Sequence, residues 1–205
     1  LKKENSALLS GILIGEDNKI TTEDMENFNK LSLTHMLAIS GENFMYIILL
    51  FDVANKKIRL RRIGYYATII GILFFMELTG NSASVIRAGL MCILSIISKL
   101  LHRKYDIWTS LAISVLFQII YNPYSIFDIG LQLSYAGVIG IVGLYKKINK
   151  KVKSRLLCGI ISSNIILLPI SIYYFNELSL LFIISNFFAS IIIEILTILG
   201  FLSLF

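Results

Sequence analysis

Residues 82–101 read SASVIRAGLMCILSIISKLL. At about 1.5 Å of rise per residue, a helix of this length covers roughly the 30 Å of a bilayer's hydrocarbon core. The stretch has the length and apolarity of a membrane span, yet it carries Arg87 near its start. On insertion scales an arginine at mid-helix costs about 2.5–3.5 kcal/mol. A membrane reading therefore needs a polar interior or a partner for that one residue. Composition supports the membrane: of 205 residues, 56% are hydrophobic and 16% charged, with mean hydropathy +0.77. Soluble domains carry about 25% charged residues, and a surface this poor in charge excludes a water-soluble domain.

Working outward from that run, the chain offers seven apolar segments, near residues 31–54, 63–80, 82–101, 106–121, 127–145, 156–175 and 178–205. The fold class expected is all-α, a polytopic transmembrane helix bundle of about seven spans. Residues 16–30 (EDNKITTEDMENFNK) are polar and acidic. They predict a short surface helix with Thr21 or Thr22 as N-cap and acidic residues in the first turn. The domain division expected is a polar extracytoplasmic segment over 1–30 and a transmembrane domain over 31–205. A chain beginning at Leu1 and stopping at Phe205 inside an apolar run is expected to be a piece of a longer protein.

The connections set an orientation. Basic residues come after the first span (Lys56, Lys57, Arg59, Arg61, Arg62), the third (Lys99, Arg103, Lys104) and the fifth (Lys146, Lys147, Lys150, Lys151, Lys153, Arg155). The intervening connections, near Gly80, Pro123 and Asn176, have neither Lys nor Arg. Short loops rich in Lys and Arg stay cytoplasmic, so odd-numbered spans run inward. The net charge of +6 then needs no nucleic-acid surface to explain it. Cys92 and Cys158 lie far apart without CxxC spacing and read as buried, inert thiols.

In that orientation the polar residues within spans collect toward the outer leaflet. His35, Ser40, Glu42 and Asn43 lie in the outer half of span 1, with Gly41 between them. Asn81, Ser84 and Arg87 open span 3, and Asp128, Gln132 and Ser134 open span 5. Glu77, Gln118 and Asp128 fit headgroup depth, whereas Glu42 and Arg87 do not and suggest a shared polar interior. Along span 3, Asn81, Ser84, Ala88, Met91, Ser95 and Ser98 recur at helical spacing. In span 5, Gly130, Ser134, Gly137 and Ile141 share one face and Ala136 with Gly140 forms a small-xxx-small pair, which favours close helix packing. In span 7, Asn186, Ser190, Glu194 and Thr197 make a polar stripe that either pairs with Arg87 or another bundle residue, or lines a watered path. Pro169 sits inside span 6, where it removes a hydrogen bond and predicts a kink. The YNPYSIFD connection reads equally as a re-entrant turn or a plain exterior loop.

Four blocks of sequence resemble one family. GILIGEDNKITTEDMENFNKLSLTHMLAISGENF, TGNSASVIRAGLM, NPYSIFDIGLQLSYAGVIGI and LLPISIYYFNELSLLFIISNFFA come one after another in the order found in the membrane-embedded competence domain of ComEC-type proteins. In register are Ser84, Arg87, Ala88 and Met91 in the second block. Pro123, Asp128, Gly130, Gln132, Leu133 and Ser134 carry the third, and Pro169, Phe175 and Asn186 the last. The resemblance covers roughly residues 11–190. It implies a channel component passing single-stranded DNA inward across the bacterial cytoplasmic membrane, with the lipid bilayer, other DNA-uptake components and further copies of itself as partners. It implies no cofactor, no metal and no covalent chemistry within these residues. The family commonly has a histidine two residues after Ser-Gly, where this chain has Asn43 preceded by Glu42.

Two other classes bear on the same residues. An intramembrane serine protease would pair Ser40 with a histidine base, but His35 lies about 140° around the helix and His102 falls on the cytoplasmic side. A small-solute secondary transporter also uses intramembrane Arg and Glu with a broken helix, although no inverted repeat is evident. Glu42 is expected to be paired with a cation, foremost Arg87, or protonated by burial. His35 and Asn43 are expected at the outer mouth of the path.

Overall fold

The computed structural model describes residues 61–152 and 154–175, together with isolated helical residues at Phe44, Ile48, Ile192, Ile195 and Leu199. These residues are helical without strands, in the order α1 (Arg61–Leu78), α2 (Ala83–Leu100), α3 (Ile107–Tyr121), a 3-10 turn (Pro123–Phe127), α4 (Ile129–Ile148) and α5 (Arg155–Phe175). Apart from those isolated residues, the first and last expected spans lie outside the described residues, as do the acidic helix over 16–30 and the expected boundary near residue 30.

Five expected spans therefore fall on described helices, with ends displaced by at most a few residues. Three of them, α2, α4 and α5, are long and apolar enough to cross a membrane. The other two differ from the expectation of full spans. α3 is apolar but has only 15 residues, and α1 holds Arg61, Arg62 and Glu77 within its 18 residues.

Local chemistry fixes the boundaries. α1 closes with Asn81 N donating to Met76 O at 3.2 Å and Gly80 N to Glu77 O at 3.3 Å, with Gly80 at φ 78°. That is a Schellman closure, in which a left-handed residue turns the chain off the helix axis. α2 ends the same way, with Arg103 N on Ser98 O at 2.9 Å, His102 N on Lys99 O at 3.2 Å and His102 at φ 52°. Asp106 caps α3, accepting from the Thr109 amide at 2.8 Å and its hydroxyl at 2.6 Å. The Thr109 hydroxyl and then its amide hold the exposed Asp106 carboxyl below its ordinary value of 3.8. α3 stops at Asn122, held extended (φ −142°, ψ 103°) as a residue before proline should be. α4 carries Lys146 and Lys147 in its last turn, where cations complement the helix dipole. Pro169 lies inside α5, and the helix continues past it to Phe175.

The described residues group into two compact units, one holding α1–α3 and the other α4 and α5. In the first, α2 packs against both α1 and α3. The packed face of α1 is Thr68, Ile72 and Met76, at steps of four. The fully buried Phe44 ring meets Phe75 edge-to-face at 5.2 Å. Gly89 of α2 faces Met76, whose Cγ would lie 2.9 Å from an added β-carbon.

In the second unit, α4 packs closely on α5. Ala136 and Gly140, the expected small pair, are both buried. An added β-carbon on Gly140 would meet the Ser162 carbonyl and lie 2.9 Å from Ser163 Cα. Only a residue without a side chain allows backbones to approach so closely. Cys158 is fully buried and its thiol donates to Val152 O at 3.0 Å, while Cys92 is half-buried; neither is in a disulfide.

The outer surfaces are apolar. Ile70 and Phe74 on α1, Leu116 and Ile120 on α3, and Ile165 on α5 are each at least half exposed. Faces of this kind suit acyl chains rather than water.

Candidate functional site

Ser84 and Arg87 belong to the α1–α3 unit, and Asp128, Gln132 and Ser134 to the α4–α5 unit. His35, Ser40, Gly41, Glu42, Asn43, Asn186 and Glu194 lie outside the described residues. So do the expected Glu42–Arg87 pairing and the span 7 stripe.

Arg87 sits in the second turn of α2 and is 8% exposed. Its Nη1 donates to Met91 Sδ, one turn further on, at 3.8 Å. A buried cation in a helix whose other residues before Lys99 are apolar or small costs several kcal/mol unless its charge is met. It is the feature of α2 that packing alone does not account for. The hydroxyls of Ser82 and Ser84 lie 3.2 Å apart at the mouth of the same helix.

The expected polar face of α2 needs correcting. Asn81 does not open the helix; it sits in the left-handed turn that closes α1, at φ 52°, and Ser82 is the N-cap. The packed residues of α2 are Val85, Arg87, Ala88, Gly89 and Ile96. Ser84, Met91, Ser95 and Ser98 run beside them half-buried, and the Ser98 hydroxyl donates to Ser95 O at 2.7 Å.

A buried polar stripe lies instead on α3. Ser110, Ser114 and Gln118 are at steps of four and at most 4% exposed. The Ser110 hydroxyl donates to Asp106 O at 3.0 Å and that of Ser114 to Leu111 O at 2.8 Å. Thr68 on α1 donates to Gly64 O at 2.8 Å, and Ser162 on α5 to Cys158 O. Hydroxyls that bond back to their own helix can be buried at little cost. Gln118, expected at headgroup depth, is buried because its position continues the Ser110–Ser114 face. Spacing at four was the available signal, since 110, 114 and 118 repeat as regularly as the stripe read on span 7.

On α4 the third block resolves into separate tasks. Asp128 is the helix N-cap, accepting from Gly130 N at 2.7 Å. Gln132 donates its backbone amide to Asp128 O at 3.0 Å. The half-buried Gln132 lines an open depression of about 400 Å³ together with Pro169, Ile170, Tyr173 and Tyr174. Tyr173 and Tyr174 meet edge-to-face at 5.2 Å. Ser134 is half-buried on the same helix. Among the described residues, no three His, Cys, Asp or Glu side chains gather where a metal ion would bind.

Residues 12–205 match the competence protein family. The chain belongs to that family. Among curated relatives, ComE operon protein 3 of Bacillus subtilis (strain 168) is 27% identical over 194 residues, which cover 88% of this chain and 24% of that protein. The chain thus spans about a quarter of the length of this competence relative. No solved structure matches it. Family membership together with three apolar helices of spanning length identifies a membrane protein.

Proposed function

We propose that this competence-family chain is a channel component that passes single-stranded DNA inward across the bacterial cytoplasmic membrane, as a multi-pass protein that performs no covalent chemistry within these residues. The family match over residues 12–205 carries the reading. The buried cation on α2 supports it, because an arginine fork held in a low-dielectric setting binds phosphate oxygens in bidentate fashion. Ser84 at the mouth of α2 in one unit, and Gln132 and Ser134 on α4 in the other, each offer neutral hydrogen-bonding groups of the kind that nucleotides accept. The protein's partners are single-stranded DNA, the bilayer, other uptake components and further copies of the chain.

The test is DNA internalisation by cells whose full-length protein carries Arg87→Ala or Arg87→Lys at normal abundance in the membrane. A hydrogen bond to a charged group contributes about 1.5–3 kcal/mol, roughly tenfold to a hundredfold. Arg87→Ala is expected to lower uptake of labelled DNA by that order. Arg87→Lys keeps the charge without the fork and should also fall. Unchanged uptake by Arg87→Ala removes Arg87 from the path. Intact DNA uptake in a deletion strain would instead favour the small-solute transporter.

A further inference from the structure

The uncharged run between Asp106 and Asp128 is longer than the helix inside it. α3 has 15 residues, about 22 Å at 1.5 Å per residue, which falls short of a roughly 30 Å hydrocarbon core. The exposed Asp106 carboxyl caps α3 at one end, and a carboxylate there is unsuited to acyl chains, so it marks a boundary with water. No residue from Ile107 to Phe127 is charged. The segment C-terminal to α3 is therefore still within reach of the opposite boundary.

The 3-10 turn Pro123–Phe127 occupies that place, and none of its residues is buried by protein. Tyr124 is 79% exposed, Phe127 75% and Ile126 47%, and the preceding Ile120 and Tyr121 exceed 80%. Two tyrosines, a phenylalanine and two isoleucines facing outward suit neither water nor the middle of the acyl chains. Amphipathic aromatic rings settle where the two meet.

The backbone is prepared for the same setting. Asn122 N donates to Gln118 O at 2.8 Å, Ser125 N to Asn122 O at 3.0 Å and Tyr124 N to the Asn122 side-chain oxygen at 3.1 Å. Pro123 has no N–H to satisfy, and the Ser125 hydroxyl donates to Gln118 O at 3.4 Å. A connection in water can leave such donors to the solvent. One against lipid has to partner them within the chain.

We propose that the turn Pro123–Phe127 is a lipid-binding element, seated at the junction of acyl chains and headgroups. Phe127 and Ile126 contact the acyl methylenes, and the Tyr121 and Tyr124 hydroxyls reach the ester and phosphate oxygens. The partner is the bilayer itself. This reading replaces both a turn sheltered by protein and a loop standing in water, and it holds whatever the bilayer-crossing substrate proves to be.

Benzoylphenylalanine placed at Tyr124 of the full-length protein in its native membrane tests it by photocrosslinking. Radiolabelled phospholipid should be captured several-fold more than by the same probe at Ser154, the exposed residue in the basic connection before α5. A probe at Phe127 repeats the measurement if the first variant does not accumulate. Lipid capture no higher than at Ser154, or adducts to protein instead of phospholipid, overturns the proposal.

Discussion

Both described units contain a buried glycine where two helices meet, and they resolve the contact differently. Gly140 of α4 faces backbone, the Ser162 carbonyl and Ser163 Cα of α5. Gly89 of α2 faces the tip of a flexible side chain, Met76 of α1. The α4–α5 interface is thus set by main-chain positions that have no way to yield, and among the described residues of that unit Ser162 and Asn164 are buried but no charged residue is. The α1–α3 unit buries Arg87 and fills its notch with methionine, which adapts to irregular space. The difference separates a rigid pair from a unit that can accommodate a charge.

Substitution at Gly140 should break the rigid pair most severely. Overpacking a tight contact costs about 1–3 kcal/mol and occasionally more, and Gly140→Leu is expected at or above the top of that range in thermal unfolding in detergent. Gly143, with nothing within 4 Å of an added β-carbon, is the control. If Gly140→Leu and Gly143→Leu unfold alike, the rigid contact is not there.

A smaller effect is expected at Gly89. Gly89→Ala should destabilise, and Met76→Ala should restore part of the loss by vacating the space. Such neighbours couple by about 0.5–3 kcal/mol in a double-mutant cycle. Strict additivity would erase the distinction between a side-chain contact and a backbone one.

The smallest effect belongs to the surface. Asp106 and Asp128 are both aspartate N-caps, but only Asp106 accepts from a side-chain hydroxyl as well as an amide. A carboxyl held below its ordinary value in the fold stabilises at pH above its unfolded value. That contribution is lost as pH falls through the depressed one. Protection of the Thr109 amide from exchange, taken relative to its intrinsic rate at each pH, should therefore hold through neutral pH and fall only in acid below the usual carboxylate range. Asp106→Asn should abolish the pH dependence while keeping the cap.

Helix ends were legible because few residues can stand where they stand. Gly80 supplies a left-handed turn, Asp106 and Asp128 precede apolar runs, and Pro123 ends one. Ala136 and Gly140 were legible as a packing pair because small residues four apart have one obvious use in a membrane helix. Burial of Thr68 and Ser162 was not legible, since a hydroxyl bonded to its own helix is chemically at home in lipid, protein or water, whereas Ser110 and Ser114 had only their spacing to Gln118 to mark them. Asp128 illustrates a second limit: one carboxylate can line a path or cap a helix, and only the Gly130 amide at 2.7 Å decides for the cap. Spacing alone draws Asn81 into the α2 face, because the closure of α1 that claims it depends on backbone angles.

The α1–α2 turn has a consequence for biogenesis. With three charged residues in 18, α1 is a weak candidate to leave the translocon for lipid unaided, whereas α2 has a mean hydropathy of 1.7. Between them stand only residues 79–82, fixed by the Gly80 closure, and the two helices pack along each other. A link that short leaves no slack for one helix to insert while the other waits outside. α1 and α2 are therefore expected to enter a bilayer together as a hairpin, with the apolar partner carrying the charged one.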